Sequence, residues 1–240
     1  MQLQIGPVLS RAINVYVDFD GTIAPDEPTD QLFEHFADPS WRAIDEAWLA
    51  GRMTAWDATA QKVALLRASP NEIHDFLRTM SIDPCFSDFV DLCRAHGIGV
   101  TVVSDGLDLV LHTVLAAAGL TLPCKANQLV WRGEDRWAAA FPYRSSACSF
   151  RLGNCKCAHR QAGTALDVMV GDGRSDFCIA QRCQLVIAKG SLLGRCQEQA
   201  LPHIAMRGFA DANAHFAAWL SGQPSPASAC ASYAAADLHV

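Results

Sequence analysis

Three short apolar runs rich in β-branched residues are each followed directly by polar side chains. The residues that follow them are Asp18 and Asp20, then Ser104, Asp105 and Gly106, and finally Asp172 and Asp176. Such runs are typical of buried strands, and open α/β sheets bind their ligands at the carboxyl ends of the strands. We therefore expect these three polar groups to meet in one pocket.

The acidic residues of such a pocket require a counter-charge. Asp18, Asp20, Asp172 and Asp176 would repel one another there, because neighbouring carboxylates raise each other's pKa values. A bound cation relieves this repulsion, and Mg²⁺ is a hard ion that prefers carboxylate oxygens and water as ligands. The sequence therefore predicts a Mg²⁺ site, with these four aspartates as its candidate ligands.

The first pair of aspartates has the spacing of a nucleophile and a proton-transfer group. Asp18 and Asp20 are two positions apart, so an extended chain directs both side chains to the same side. One carboxylate can attack phosphorus and form an aspartyl phosphate while the other donates and accepts a proton. This pattern predicts phosphoryl transfer through a covalent intermediate.

Phosphoryl transfer also requires groups that bind and neutralise the phosphate. The hydroxyl of Ser104 and the backbone N–H groups of Asp105 and Gly106 are candidates, since Gly106 allows close approach of the backbone. Lys156 precedes the strand that leads to Asp172 and is the candidate cation, with Lys125 as the alternative.

The elements that position these residues follow from hydrophobic periodicity. Residues 28 to 84 show helical spacing throughout, with Thr54 and Ser69 as candidate N-caps. Strands and helices alternate afterwards, which predicts a parallel sheet covered on both faces. Residues 126 to 142 interrupt the alternation and predict a β-hairpin.

The carboxyl-terminal part of the pattern is simpler. We predict a short helix near residues 156 to 163, then the strand before Asp172 and one further helix. A strand over Gln184–Ala188 and a last helix near residues 210 to 220 complete the prediction. The expected organisation is a catalytic core of residues 1–27 and 85–221 with a helical cap over residues 28–84. Residues 222–240 are rich in Pro, Ser and Ala and are expected to be a disordered tail.

Composition restricts the function classes. The net charge of −6 and the pI near 5.7 argue against a nucleic-acid-binding surface. No apolar stretch approaches the roughly 18 residues of a membrane span. Ten cysteines without a recognisable secretion signal indicate a reducing compartment and mostly free thiols, so we expect a cytoplasmic protein.

Four motifs in order now support a family resemblance. Asp18-Phe-Asp-Gly-Thr, Val103-Ser104, Lys156 and Gly171-Asp-Gly-x-x-Asp176 resemble the motifs of the haloacid dehalogenase superfamily of phosphatases. The resemblance covers roughly residues 13 to 220 and implies a Rossmann-like α/β core with a parallel sheet. It also implies a helical cap inserted after the first strand and a small β-hairpin after the second motif.

The resemblance assigns a role to each motif residue. It implies that Asp18 is the nucleophile and a Mg²⁺ ligand, and that Asp20 is the general acid/base and a ligand through its main-chain carbonyl. Ser104 and Lys156 would bind phosphate. Asp172 would bind Mg²⁺, and Asp176 would support the site.

Local features narrow the branch of the family. The position of the cap resembles the phosphoserine phosphatase group. Phe36-Ala37-x-Pro39-x-Trp41, Ser104-x-Gly106-x-Asp108 and the cysteines before Lys156 look closer to the 2-hydroxy-3-keto-5-methylthiopentenyl-1-phosphate phosphatases of methionine salvage. Glu27 matches the acidic position that holds the amine of phosphoserine, whereas Lys62 stands where that group presents an Arg to the substrate carboxylate.

The sequence therefore predicts a Mg²⁺-dependent phosphomonoesterase that acts on a small phosphorylated metabolite, with its oligomeric state open. Alternatives are a phosphoserine phosphatase and a phosphotransferase or phosphomutase of the same superfamily. A non-enzymatic alternative is a metal- or redox-responsive binding protein. It would use four potential zinc ligands whose spacing matches no recognised zinc motif, namely Cys148, Cys155, Cys157 and His159.

Overall fold

The computed structural model describes residues 12–161, 163 and 165–222. The expected tail from residue 223 onward and the first 11 residues of the expected core lie outside the described residues. Within the described part, no helix combines the length and the apolar character that a membrane span requires.

The described chain alternates strands and helices after an initial block of helices. In chain order the elements are β1 (Ile13–Val17), α1 (Pro28–Phe36), α2 (Trp41–Leu49), α3 (Ala55–Ala64), α4 (Pro70–Leu77), α5 (Phe86–Ala95), β2 (Gly99–Leu107), α6 (Asp108–Ala117), β3 (Cys124–Trp131), β4 (Trp137–Ala140), β5 (Leu166–Gly171), α7 (Phe177–Ala180), β6 (Leu185–Ala188), α8 (Gly190–Glu198), β7 (His203–Ala205) and α9 (Phe209–Leu220). Short 3₁₀ helices cover Lys156–His159 and Arg174–Asp176.

Among the described residues, seven strands form one sheet in the order β4-β3-β2-β1-β5-β6-β7. Neighbouring strands are parallel except β3 and β4, which form the antiparallel hairpin. Strand β1 lies in the middle, between β2 and β5. The predicted α/β class is confirmed, with helices inserted after the first strand and a hairpin after the second motif.

Apolar cores cover both faces of the sheet. Consecutive side chains of a strand point to opposite faces, so one strand contributes to both cores. Val15 and Val17 of β1 belong to the larger apolar core, which also contains Phe209 of α9. Tyr16, between them, belongs to a second core with Ile179 and Leu192 from helices α7 and α8. This two-sided burial keeps the strands fixed, so their carboxyl ends form a rigid edge.

Two helices between β1 and β2, α3 and α4, begin at predicted capping residues. The Thr54 hydroxyl accepts a hydrogen bond from the N–H of Asp57 at 3.2 Å before α3. Ser69 and Glu72 form a reciprocal capping box before α4, with Ser69 N–H donating to Glu72 at 2.8 Å. Both N-cap predictions are confirmed, and such caps satisfy backbone donors that helix starts leave free.

The two ends of this helical insertion meet in the loop that follows β1. The N–H of Asp83 donates to the carbonyl of Ile23 at 2.8 Å. The Asp83 carboxylate in turn accepts from the N–H of Phe209 at 2.9 Å, at the start of α9. The insertion therefore leaves the core and returns to it at one place.

Three details differ from the sequence prediction. Helix α8 and strand β7 were not predicted, because α8 buries few apolar side chains and β7 has only three residues. Strand β2 continues to Leu107, beyond the apolar run that Ser104 follows, with a register shift against β3 between Val103 and Leu107. The helix expected near residues 156 to 163 is only the short 3₁₀ turn.

Candidate active site

The end of β1 places Asp18 against the predicted lysine. The N–H of Asp18 donates to Val170 at 2.9 Å, which extends the pairing of β1 with β5 by one residue. The Lys156 Nζ lies 2.7 Å from Asp18 Oδ1 and 2.6 Å from Asp176 Oδ1. Lys125, the alternative cation, lies elsewhere, with its Nζ 5.6 Å from the centre of the Tyr143 ring.

This ion-paired group is removed from water. Asp18, Lys156 and Asp176 are 5%, 1% and 0% exposed. Burial by itself lowers the pKa of Lys156, but the charges of Asp176 and Asp18 outweigh it and the net pKa is raised. Burial and the charge of Asp176 raise the pKa of Asp18 well above its usual value, in spite of Lys156. One lysine therefore does not compensate the carboxylates around it.

A third carboxylate adds to this surplus of negative charge. Oxygen atoms of Asp18, Asp172 and Asp176 lie within 4.8 Å of one another. Thr22 donates its hydroxyl to Asp172 Oδ1 at 2.5 Å. The backbone N–H groups of Asp172 and Gly173 both donate to Asp176 Oδ2 at 3.1 Å. This set of oxygen donors has the chemistry that a hard divalent cation prefers.

The carboxylate of Asp20 stands apart from that cluster. Its oxygens accept from Thr29, one from the N–H at 2.9 Å and the other from the hydroxyl at 2.7 Å. Burial raises the pKa of Asp20 to about 6, although both hydrogen bonds from Thr29 act to lower it. A carboxyl group with this pKa can hold or release a proton near neutral pH, which suits a general acid and base.

Two glycines leave room for the carboxylates. Gly21 has a φ of 72°, and a Cβ added there would lie 2.7 Å from Asp172 Oδ2. A Cβ on Gly106 would lie 2.6 Å from Asp20 Oδ2. Both positions therefore require the absence of a side chain.

The segment at the end of β2 that is predicted to bind phosphate is held by two asparagines. The Asn154 amide donates to the carbonyls of Ser104 at 2.8 Å and Lys125 at 2.7 Å. The Asn127 amide donates to the carbonyl of Asp105 at 2.6 Å. Both side chains bridge the region where β2 and β3 lose their regular pairing.

Within this segment the predicted phosphate-binding groups differ in their roles. The Ser104 hydroxyl accepts from the N–H of Gly106 at 2.9 Å and lines the cavity. The Asp105 carboxylate instead accepts from the N–H of Asn154 at 2.7 Å. The Asp105 side chain thus fixes the loop, which leaves its backbone as the candidate contact for phosphate.

A cavity of about 290 Å³ connects the core with the helical insertion. Asp18, Asp20, Ser104 and Asp172 line it from the core. The insertion and the loop before it supply Glu27, Asp30, Phe33, Asp45, Trp48 and Lys62. Lys156 and Asp176 are not among the lining residues and lie behind Asp18. The cavity is where the predicted core and cap residues meet.

The predicted substrate contacts Glu27 and Lys62 line this cavity in different surroundings. Lys62 Nζ lies 2.8 Å from Asp45 Oδ1 and 3.9 Å from Asp30 Oδ1. It also lies 4.9 Å from the centre of the Phe33 ring. Partial burial and the charge of Asp30 raise the pKa of Glu27. Acidic groups therefore outnumber the cation on this side.

Several residues of the site were not singled out by the sequence prediction. They are Thr22, Thr29, Asp30, Asp45 and Asn154. The Asp-Gly-Thr of the first motif was a usable signal for Thr22, and Thr29 follows Pro28 at a helix start. Asn154 lies two positions before Lys156 without any periodic signal, and the two aspartates belong to helices of the insertion.

Of the four potential zinc ligands named from the sequence, the structure brings Cys148 and Cys155 together but leaves His159 in other contacts. His159 Nε2 lies 2.6 Å from Asn154 Oδ1, and its ring packs edge-on against Tyr143. Cys157 forms a disulfide with Cys178, which differs from the expectation of free thiols at this position. The fold produces this pairing because the turn that carries Lys156 packs against α7.

The four-motif prediction can now be compared with known proteins. The model of the haloacid dehalogenase-like hydrolases matches residues 15–181. The chain belongs to this hydrolase family.

Curated relatives refine the family assignment. A 2-hydroxy-3-keto-5-methylthiopentenyl-1-phosphate phosphatase from Geobacillus kaustophilus (strain HTA426) is 30% identical over 213 residues, covering 85% of this hydrolase and 94% of the relative. A protein of the same name from Brevibacillus brevis (strain 47 / JCM 6285 / NBRC 100599) is 29% identical over 210 residues, covering 85% and 94%. The predicted enzyme class, a phosphatase, is thereby confirmed.

Solved structures support the fold. A substrate-bound phosphoserine phosphatase superposes with a TM-score of 0.65 at 20% identity, covering 84% of this hydrolase and 96% of that chain. At this identity the similarity concerns the fold of the hydrolase.

Proposed function

We propose that this chain is a Mg²⁺-dependent phosphomonoesterase that hydrolyses 2-hydroxy-3-keto-5-methylthiopentenyl-1-phosphate through an aspartyl phosphate. One observation carries the chemistry. Asp18 is held by Lys156 at 2.7 Å, while Asp20, whose pKa is about 6, opens to the same cavity. A fixed carboxylate and a carboxyl that exchanges protons are the two groups that the reaction requires.

In the first step Asp18 attacks phosphorus and the bond to the leaving alcohol breaks. Lys156 Nζ and the Phe19 N–H both contact Asp18 Oδ1, so we assign Oδ2 as the attacking oxygen. Asp20 donates its proton to the leaving oxygen. The Ser104 hydroxyl and the backbone N–H groups of the same loop bind the phosphoryl oxygens, and Lys156 neutralises charge next to the nucleophile.

In the second step the roles of Asp20 reverse. As a carboxylate it accepts a proton from water, and the water oxygen attacks phosphorus. The bond between phosphorus and Asp18 breaks, which releases phosphate and restores the Asp18 carboxylate. The proton taken from water replaces the one that Asp20 donated in the first step. A single carboxyl group with a pKa of about 6 therefore serves both steps.

The proposed Mg²⁺ ligands are the carboxylates of Asp18 and Asp172 and the main-chain carbonyl of Asp20. Bound there, the ion would neutralise charge on the phosphoryl group during transfer. Asp176 accepts from two backbone N–H groups and pairs with Lys156, so we assign it to positioning the loop and the lysine.

The roof of the cavity supports the choice of substrate. Phe33, Trp48 and Ala58 give it an apolar wall that suits a methylthio group. Lys62 is already paired with Asp45 at 2.8 Å, so a substrate carboxylate would have to displace that partner. The proposed substrate carries a phosphate and a methylthio group but no carboxylate, in agreement with both features.

Phosphoserine is the second candidate, because Glu27 lines the cavity where an amine could bind. The distinction is testable by phosphate release with Mg²⁺ from the enol phosphate, phosphoserine and an aryl phosphate. Asp18→Asn serves as the blank, and Asp26→Asn, an exposed change in the same loop, is the matched control.

We expect kcat/KM for the enol phosphate to exceed that for phosphoserine by at least about tenfold, the lower end of the discrimination that an apolar pocket provides. Stoichiometric phosphate release and an Asp18-containing peptide that gains the mass of a phosphoryl group would support the mechanism. A preference for phosphoserine would replace the proposed substrate. Phosphate release equal to the Asp18→Asn blank would overturn the phosphomonoesterase, and transfer to a second alcohol would indicate a phosphotransferase.

A further inference from the structure

Four cysteine sulfurs come together beside the active site. The Sγ atoms of Cys148, Cys155 and Cys178 lie within 4.8 Å of one another, and the residues are 5%, 5% and 8% exposed. Cys157 joins them, because its sulfur is bonded to that of Cys178. The sulfurs come from three segments: the loop after β4, the turn that carries Lys156, and α7.

The surroundings of these sulfurs favour a soft metal. Cys148 and Cys155 pack with Leu152 and Ala55, and Phe150 adjoins them. Zn²⁺ binds thiolates at about 2.3 Å in a tetrahedron, so its ligand sulfurs are about 3.8 Å apart. Three of the sulfurs already lie within 4.8 Å of one another, so a small approach would bring them to that spacing. No carboxylate shares the group in the described residues, in contrast to the oxygen cluster around Asp18.

We propose that the reduced protein holds one Zn²⁺ on the thiolates of Cys148, Cys155, Cys157 and Cys178. The Cys157–Cys178 disulfide and this site exclude each other. Two molecules of a monothiol of the glutathione class reduce the disulfide to two thiols and become one oxidised disulfide. Zn²⁺ then displaces four protons from the four thiols.

The chain positions of the ligands give the zinc a structural consequence. Cys155 and Cys157 flank Lys156, and Cys178 lies two residues after Asp176. The zinc would thus fix the backbone on both sides of the 2.6 Å contact between Lys156 and Asp176. His159 is not in the ligand set, because it is engaged with Asn154, and Cys178 takes the place that the sequence had suggested for it.

The first test is the metal content of the full chain. The protein is purified with a phosphine reductant without oxygen, supplied with Zn²⁺, and dialysed against Mg²⁺ and a weak chelator. Elemental analysis should find about one zinc per chain. Cys148→Ser should lose it, whereas Cys93→Ala should retain it, because Cys93 is buried in the larger core away from these sulfurs.

Zinc below about one-tenth per wild-type chain, or equal zinc in Cys148→Ser, would overturn the proposal. Replacing Zn²⁺ with Co²⁺ identifies the ligand atoms in the wild-type protein. The proposal therefore stays testable even if the Cys148→Ser variant does not fold. Co²⁺ bound to wild-type protein should show a sulfur-to-metal charge-transfer band and intense visible bands. A spectrum of oxygen- or nitrogen-bound Co²⁺ would overturn a thiolate site.

Oxidation provides an independent readout. Hydrogen peroxide oxidises the two thiols to a disulfide and is reduced to water, so the zinc should be released as the Cys157–Cys178 bond appears in peptide maps. Zinc that stays bound after this disulfide has formed would contradict the proposal. None of these measurements depends on which phosphate ester the enzyme hydrolyses.

Discussion

The floor and the roof of the cavity hold their charges in different ways. The floor consists of Asp18 and Asp172, which line the cavity, together with Lys156 and Asp176, which lie behind Asp18. Its ion pairs to Lys156 are 2.6–2.7 Å long, with side chains at most 8% exposed. The roof consists of Glu27, Asp30, Asp45 and Lys62. Its ion pairs include side chains that are 24% and 47% exposed.

The difference reflects how each layer is built. In the floor, backbone N–H groups at the ends of β1 and β5 fix the carboxylates of Asp18 and Asp176. In the roof, Lys62 is held by contacts between side chains on helices of the insertion. We therefore expect roof residues to change with substrate while the proposed phosphoryl-transfer groups of the floor remain in place.

Removing one lysine from each layer tests this contrast most strongly. Lys156→Met leaves Asp18 and Asp176 buried without a cation, which should cost about 3–5 kcal/mol of stability. It should also lower kcat/KM by about a hundredfold or more. Lys62→Met, the matched change in the roof, should cost about 1 kcal/mol, because its partners remain in contact with water.

Urea unfolding and phosphate release from an aryl phosphate measure both effects. Equal losses of stability in the two variants would show that floor and roof are equivalent. That result would remove the basis for treating the roof as the exchangeable layer.

Magnesium should stabilise the floor by a smaller amount. A ligand at about 100 times its Kd adds about 2.7 kcal/mol, or about 5–10 °C in Tm for a chain of this size. Asp172→Asn should abolish this increase. Without metal it should melt slightly above wild type, because burial and Asp176 already disfavour the charged form and raise the pKa of Asp172.

Thermal melts with and without Mg²⁺ provide the comparison, with Asp91→Asn on the exposed face of α5 as the control. A full Mg²⁺ shift in Asp172→Asn would exclude Asp172 as a ligand. A lower melting temperature of the metal-free variant would show that its charge is stabilising.

The smallest expected effect concerns the proton on Asp20. The active form donates a proton, so kcat/KM should fall as the pH rises through the Asp20 pKa of about 6. Thr29→Val removes a hydroxyl that favours the charged form. The pKa should rise, and the falling limb should move to higher pH by about 0.5–1 unit.

Thr59→Val is the matched control, since Thr59 lines the same cavity and is not among the hydrogen-bond partners of Asp20. Profiles are recorded at constant Mg²⁺ for wild type and both variants. A limb that moves to lower pH in Thr29→Val, or moves equally in Thr59→Val, would exclude Asp20 as the titrating group.

The floor was predictable from the sequence because short-range rules determine it. Strand periodicity gave the run that ends at Val17, and parallel pairing then brought Asp18 and Asp172 to one edge. The same rules gave both N-caps of the insertion and the hairpin. Ser104 and Lys156 were identifiable because their order along the chain matched the family motifs.

The remaining features depend on long-range packing. Thr29 and Asn154 act through hydrogen bonds to groups that include Asp20, 9 residues away, and Ser104, 50 residues away, and no periodicity indicates these contacts. Cys178 lies 21 residues from Cys157, inside an unremarkable helix start. Strand β7 is only three residues long, and its place at the sheet edge comes from pairing with β6.

The hydrogen bond between Asp83 and Ile23 has an evolutionary consequence. Since the insertion leaves and re-enters the core at one point, its length and sequence can change without altering the distance that the chain must span there. Lineages could exchange this segment as a cassette, and a laboratory graft could use the same junction. The core and the helical insertion can therefore have separate evolutionary histories.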